Sequence, residues 1–116
     1  MPAYNFEARF APDVESGRKK QTIRRKRKRP TRVGDVLYLY TGMRTKQCRK
    51  LREATCIGVT DIIIQPDWSI TLNERELMLI EANALARADG FPGLAEFCRF
   101  FEGRYGLPFE GELIEW

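Results

Sequence analysis

The chain has 116 residues, of which 43% are apolar and 31% charged. That make-up fits one folded domain with a real core and excludes a disordered chain. The net charge of +4 hides a lopsided distribution: residues 1–52 carry 16 basic and 4 acidic side chains, residues 53–116 carry 4 and 12.

No apolar run approaches the roughly 18 residues of a membrane span. The opening MPAYNFEARF lacks the basic flank and long apolar stretch of a signal peptide, so a cytoplasmic protein is expected. The sequence has no histidine, and Cys48, Cys56 and Cys98 form no CxxC pair. A zinc site would lack its usual ligands and the commonest general base is missing. No metal or cofactor is expected, and any catalysis must run on Lys, Asp/Glu, Ser/Thr, Tyr or Cys.

YNFEARF places Tyr4, Phe6, Ala8 and Phe10 at period two, which predicts a strand. APDVESG predicts one helical turn with Pro12 near its start and Gly17 as a left-handed stop. QTIRR is short and β-prone. KRKRPTRVGD predicts a basic loop over 26–33 that runs into a turn at Gly34-Asp35. VLYLYT is a strand with Val36, Tyr38 and Tyr40 on one face. LREATCIGVTDIIIQ reads as two strands or one bent strand, with Gly58 as the bend, and WSITL as another short strand. Asn73 with Glu76 three residues later forms a helix-start signature. Leu77, Ile80, Ala84, Leu85 and Ala88 then repeat at helical spacing up to Gly90. A second helix over about 93–105 turns Leu94, Phe97, Cys98 and Phe101 inward, and GELIEW closes the chain as a strand. Strands first and helices late, without a βαβ rhythm, predict an α+β fold built on a small barrel or strongly bent sheet.

Ten of the twenty basic residues lie between Arg18 and Arg32. Such density favours a polyanion, and nucleic acid over anionic lipid because the tract has no amphipathic helical pattern. The candidate phosphate contacts are Arg18, Lys20, Arg24, Arg25, Lys26, Arg27, Lys28, Arg29 and Arg32. A second group holds Arg44, Lys46, Arg49, Lys50 and Arg52 and follows the strand bearing Tyr38 and Tyr40, which could stack on unpaired bases. The plain alternatives are a solvated loop and two tyrosines packed in the sheet wall.

GRKKQTIR is the sharper motif. Along a regular strand Lys19 and Thr22 face opposite ways, but a bend at Gly17 lets both point into one cleft. Crowding by Arg18, Lys20 and Arg24 would ease proton loss from Lys19, and a neutral lysine beside a hydroxyl is a base and nucleophile pair. The plain alternative is an ordinary strand threonine with a surface lysine. Asp89 falls at a helix C-terminus, where the dipole disfavours its charge and a cationic or hydrogen-bonding partner is needed.

Gly17-x-Lys19-x-x-Thr22-Ile23-Arg24, then Gly34-Asp35-Val36-Leu37, then Ala88-Asp89-Gly90-Phe91, an aromatic helix and a final strand resemble the ASCH domain family, relatives of the PUA RNA-binding fold. The resemblance covers nearly the whole chain and implies a single domain, a small PUA-like β-barrel with flanking helices. It also implies RNA or nucleoside as partner. One branch of the family hydrolyses N4-acetylcytidine with a lysine, a threonine and a glutamate. Lys19 and Thr22 match the first two, and Asp89 stands where the glutamate is expected, one methylene shorter. A ribonuclease activity also occurs in the family. This chain's denser basic strap favours a polymer over a free nucleoside. RNA or nucleotide binding is therefore the leading expectation, with base hydrolysis by Lys19, Thr22 and Asp89 as the enzymatic alternative. A protein-interaction module using the acidic second half is the third.

Overall fold

In the computed structural model, which describes residues 2–116, the elements run β1 (Ala3–Phe6), α1 (Ala11–Ser16), β2 (Gln21–Arg24), β3 (Val36–Thr41), β4 (Arg49–Thr55), β5 (Gly58–Ile64), β6 (Ile70–Leu72), β7 (Arg75–Glu76), α2 (Leu79–Ala88), α3 (Leu94–Tyr105) and β8 (Phe109–Glu115). This is an α+β fold. Among the described residues no helix is long and apolar enough to cross a membrane.

The strands divide into two sheets, ordered β1-β3-β4 and β2-β8-β5-β6-β7. β1 is parallel to β3, and the other neighbours pair antiparallel. No backbone ladder joins β1 to β2, so the closed barrel expected from the sequence is not formed among the described residues. Side chains bridge that seam instead. Arg24 Nη2 donates to the Asn5 carbonyl at 2.6 Å and Arg27 Nη2 to the Ala3 carbonyl at 2.8 Å. These are alternate carbonyls of β1, on the side away from β3, where a neighbouring strand would otherwise bond.

Alternation explains which strand faces are inward. Tyr4 and Phe6 of β1, Leu37 and Leu39 of β3, and Ile62 and Ile64 of β5 are buried. Tyr38 and Tyr40 therefore lie on the outer face of β3, half-buried. The first strand stops at Phe6, and Ala8 is exposed in the turn that follows. Gly58 opens β5, which makes the long β-branched stretch two strands.

The Asn73–Glu76 helix start is not what the chain does. Asn73 and Glu74 have φ of 45° and 70°, and they form the two-residue turn between β6 and β7. Two positive-φ residues match the twist of a tight hairpin, and Asn tolerates that conformation. α2 begins five residues after Glu74, where Glu81 accepts the Met78 N–H at 2.9 Å. Its buried face is Ala82 and Ala86, while Ile80 is 76% exposed, so the apolar stripe assigned from the sequence is rotated outward. α3 follows the expected stripe, with Phe97, Cys98 and Phe101 buried.

One aromatic run ties these layers together. Phe10 meets Phe91 at 5.4 Å, Phe91 meets Phe97 at 5.5 Å, and Phe101 meets Phe97 and Phe109 at 4.9 Å each. Edge-on pairs at such spacings stabilise by about 0.5–1.5 kcal/mol beyond area burial. The run locks the turn after α2 against the entry to α1.

Gly90 sits in that lock with φ of +100°, and a Cβ there would lie 2.8 Å from Phe10 Cδ1. Gly90→Ala should therefore lower stability by about 2 kcal/mol or more, read as a fall in the urea midpoint. Gly103→Ala in α3, where nothing lies within 4 Å, should raise it by about 0.5–1 kcal/mol.

Candidate functional site

The seam between β1 and β2 opens into a cleft of about 90 Å³. Its walls include Asn5, Phe6 and Glu7 from the end of β1, Lys19, Thr22 and Arg24 around β2, Asp89 at the end of α2, and Phe100, Arg104 and Tyr105 of α3. The three expected catalytic residues thus line one cavity, although 70 residues separate Lys19 from Asp89.

Local structure explains how Lys19 gets there. Gly17 takes a left-handed φ of 84° at the end of α1, and the Lys19 N–H returns to the Asp13 carbonyl at 2.9 Å. The chain turns sharply before β2, and Lys19 points inward with 4% of its residue surface exposed. Lys19 Nζ donates to the Asp89 carbonyl at 2.5 Å and to Asp89 Oδ1 at 3.1 Å. Gln21 Nε2 reaches the same Oδ1 at 3.2 Å. Gln21 lies two residues from Lys19, on the same side of an extended chain, so period two alone brings both to the carboxylate.

The Lys19 ammonium is pushed below the ordinary lysine range. Burial is the largest cause, opposed by the Asp89 charge and hydrogen bond, with the Arg24 charge a smaller downward push. Desolvation, rather than the crowding of cations foreseen from the motif, dominates. Arg18 is turned away and paired with Asp13 at 2.9 Å, and Lys20 is exposed. Burial likewise pushes the Asp89 carboxyl up, against the pull of Lys19 and Gln21.

Thr22 is 3% exposed, and its Oγ1 accepts from Arg24 Nε at 2.8 Å rather than meeting Lys19 Nζ. The Arg24 guanidinium lies over the rings of Tyr4 and Phe6 at 5.3 and 5.1 Å. It is part of the cleft wall and the seam, not a free phosphate contact. Across the mouth, Arg104 Nη1 meets Glu7 Oε2 at 3.5 Å, and Arg25 lies 4.9 Å over Tyr105.

The remaining strap residues divide by function. Arg27 holds β1 and lies over Tyr4 at 4.7 Å. Lys26 sits near the buried Glu112 carboxyl, whose pKa burial raises. Lys28, Arg29 and Arg32 are exposed and line an open groove at the Pro2 end of β1. Arg44 and Lys46 are exposed on the β3–β4 loop. Arg49 pairs with Glu15 at 2.7 Å, Lys50 pairs with Glu53, and Lys50 also lies 5.8 Å from the Tyr38 ring. Tyr38, Tyr40 and Lys50 share the outer face of the smaller sheet, whereas Arg52 stands opposite the buried Leu39 with its guanidinium beside Gly17, and none of these residues lines the cleft. Glu7, Arg104 and Tyr105 belong to the cleft, and Gln21 to the buried ion pair beside it, without having been singled out in the sequence. Only Gln21 carried a local signal. Among the described residues no cluster of three or more Cys, Asp or Glu is placed to hold a metal ion.

Comparison with protein-family models, with curated proteins and with solved structures finds no match.

A buried ion pair tolerates the loss of both charges better than the loss of one. Lys19→Met and Asp89→Leu should each destabilise the fold by about 3–5 kcal/mol, because each leaves a buried charge unpaired. The double variant Lys19→Met/Asp89→Leu should recover most of that loss. Urea denaturation of the four proteins completes the cycle.

Proposed function

We propose that this chain is an ASCH-type, PUA-like domain that binds RNA, with one base or its exocyclic group at the cleft and phosphates on the basic strap. The observation that carries the reading is the juxtaposition at the seam. A small polar cleft with hydrogen-bonding and aromatic walls opens beside a strap of exposed cations. Base edges are recognised by hydrogen bonds and stacking, and backbone phosphates by solvent-exposed Lys and Arg. The two sheets meeting along β1 and β2 support the PUA-like assignment. A cytoplasmic setting is consistent with a chain that lacks a membrane-spanning helix among its described residues and carries three free cysteines.

Titration of a single-stranded RNA across a salt series tests this. About six phosphate contacts give a slope near −4 in log affinity against log salt. Arg25→Gln/Arg29→Gln should weaken binding and flatten the slope. Affinity that ignores salt, or that survives this substitution unchanged, overturns the reading.

A second reading is supported by the shared placement of Lys19, Thr22 and Asp89: hydrolysis of an N-acylated cytosine such as N4-acetylcytidine. Here Thr22 Oγ1, on leaving the Arg24 guanidinium and turning toward Lys19 Nζ, attacks the acyl carbon and passes its proton to a neutral Lys19. The leaving amine then takes that proton from Lys19, with Asp89 positioning it, and water hydrolyses the acyl-Thr22 ester to release the acid and restore the hydroxyl. Burial favours the neutral lysine this step requires. Incubation with N4-acetylcytidine, free and within RNA, should release cytidine and acetate, and isosteric Thr22→Val should abolish release. Turnover that persists in Thr22→Val refutes this mechanism.

A further inference from the structure

The cleft and the open groove lie at opposite ends of the same seam. The cleft touches Asn5, Phe6 and Glu7, whereas the groove touches Pro2 together with Arg27, Lys28, Arg29 and Arg32. Arg24 bonds the Asn5 carbonyl and Arg27 the Ala3 carbonyl, so the strap runs antiparallel alongside β1 from one site to the other. The four residues of β1 span about 13 Å at roughly 3.3 Å each. About four stacked nucleotides cover that distance at ~3.4 Å per step, and fewer do so when the strand is drawn out.

The two sites have complementary capacities. At about 90 Å³ the cleft is smaller than the ~150 Å³ cavity that accommodates benzene, so it holds a base edge or an exocyclic group and not a whole nucleotide. The groove, at about 920 Å³, is shallow and open, with four cations and one carboxylate, Asp35, on its walls. Asp35 Oδ2 is already occupied by the Arg32 backbone N–H at 2.9 Å. Among the described residues Lys28, Arg29 and the Arg32 side chain have no hydrogen-bond or ion-pair partner. These cations are hydrated in the free protein and available to phosphates.

We infer that the ligand is a single-stranded oligonucleotide of about two to four units bound along the seam, its terminal base at the cleft and its distal phosphates in the Lys28–Arg29–Arg32 groove. The inference rests on the RNA-binding reading and sharpens it by excluding the free nucleoside or mononucleotide as the preferred ligand. Most of the affinity comes from the groove, and most of the selectivity from the cleft. Arg27 and Arg24 act as rungs that keep the two in register.

The test is binding affinity against chain length, measured at one low salt concentration with cytidine monophosphate and with oligocytidylates of two, four and eight units. Affinity should rise at least tenfold from the monomer to the tetramer and change little from there to the octamer. Lys28→Gln/Arg29→Gln/Arg32→Gln changes only exposed side chains. It should remove the length-dependent gain while leaving monomer affinity within about threefold, and lower the salt slope for the tetramer by about 2. A monomer that binds as tightly as the tetramer, or a length gain retained in the triple variant, overturns this inference and leaves the RNA-binding reading standing. Absence of binding at every length overturns both.

Discussion

The arrangement depends on one buried ion pair. Lys19 and Asp89 have side chains 4% and 7% exposed, and removing each charge from water costs several kcal/mol before any attraction is counted. Two features offset that cost. Asp89 lies at the C-terminal end of α2, where the helix carbonyls make a carboxylate unwelcome, and Lys19 Nζ bonds the Asp89 backbone carbonyl as well as its side chain. One ammonium therefore answers both the helix dipole and the carboxylate. Gln21 supplies the further hydrogen bond that a buried carboxylate needs. The pair holds the start of β2 to the end of α2, and the cleft is the space this connection encloses.

The second constraint is the unpaired seam. Had β1 and β2 formed a backbone ladder, their adjacent edges would lie about 4.8 Å apart and no cleft would remain between them. Two guanidinium groups span the gap instead and satisfy the outward carbonyls of β1. Arginine suits this task better than lysine, because its planar fork can donate in two directions at once. Arg24 does so to Thr22 and Asn5. A run that looks uniform in sequence is thereby divided. Arg24 and Arg27 are structural, Arg25 lies against Tyr105, and Lys28, Arg29 and Arg32 face solvent.

The strands were legible because alternation reports burial directly: Leu37 and Leu39, or Ile62 and Ile64, can face only one way in a half-buried sheet. From the residues alone the Lys19–Asp89 encounter was legible only as a need, since a carboxylate at a helix end requires a partner but does not name one; the family resemblance is what set Lys19 beside it. Asn73 misled because asparagine serves both helix caps and left-handed turns, and the choice was made by the pairing of β6 with β7, which is not local. Ile80 misled because its helical spacing with Leu77, Ala84 and Leu85 was taken to mark the inward face. The small Ala82 and Ala86 occupy that face instead. The seam was not legible at all, because nothing in RRKRKR distinguishes a rung from a free cation.

The charge asymmetry of the chain takes on a definite meaning in this geometry. The cleft itself is nearly balanced, with Lys19, Arg24 and Arg104 set against Glu7 and Asp89. Each of these cations already has an acceptor within the protein. A phosphate entering the cleft would have to displace those partners and would meet two carboxylates, whereas an uncharged group with donors and acceptors could join the existing network. The groove at the other end presents the opposite case: among the described residues the Lys28, Arg29 and Arg32 side chains make no hydrogen bond or ion pair, only Arg27 is engaged, and the one carboxylate is occupied. Charge density alone would place a phosphate anywhere along the strap. On the proposed RNA-binding reading, the partners already made by each cation would direct phosphates to Lys28, Arg29 and Arg32 and leave the cleft to the neutral part of a nucleotide.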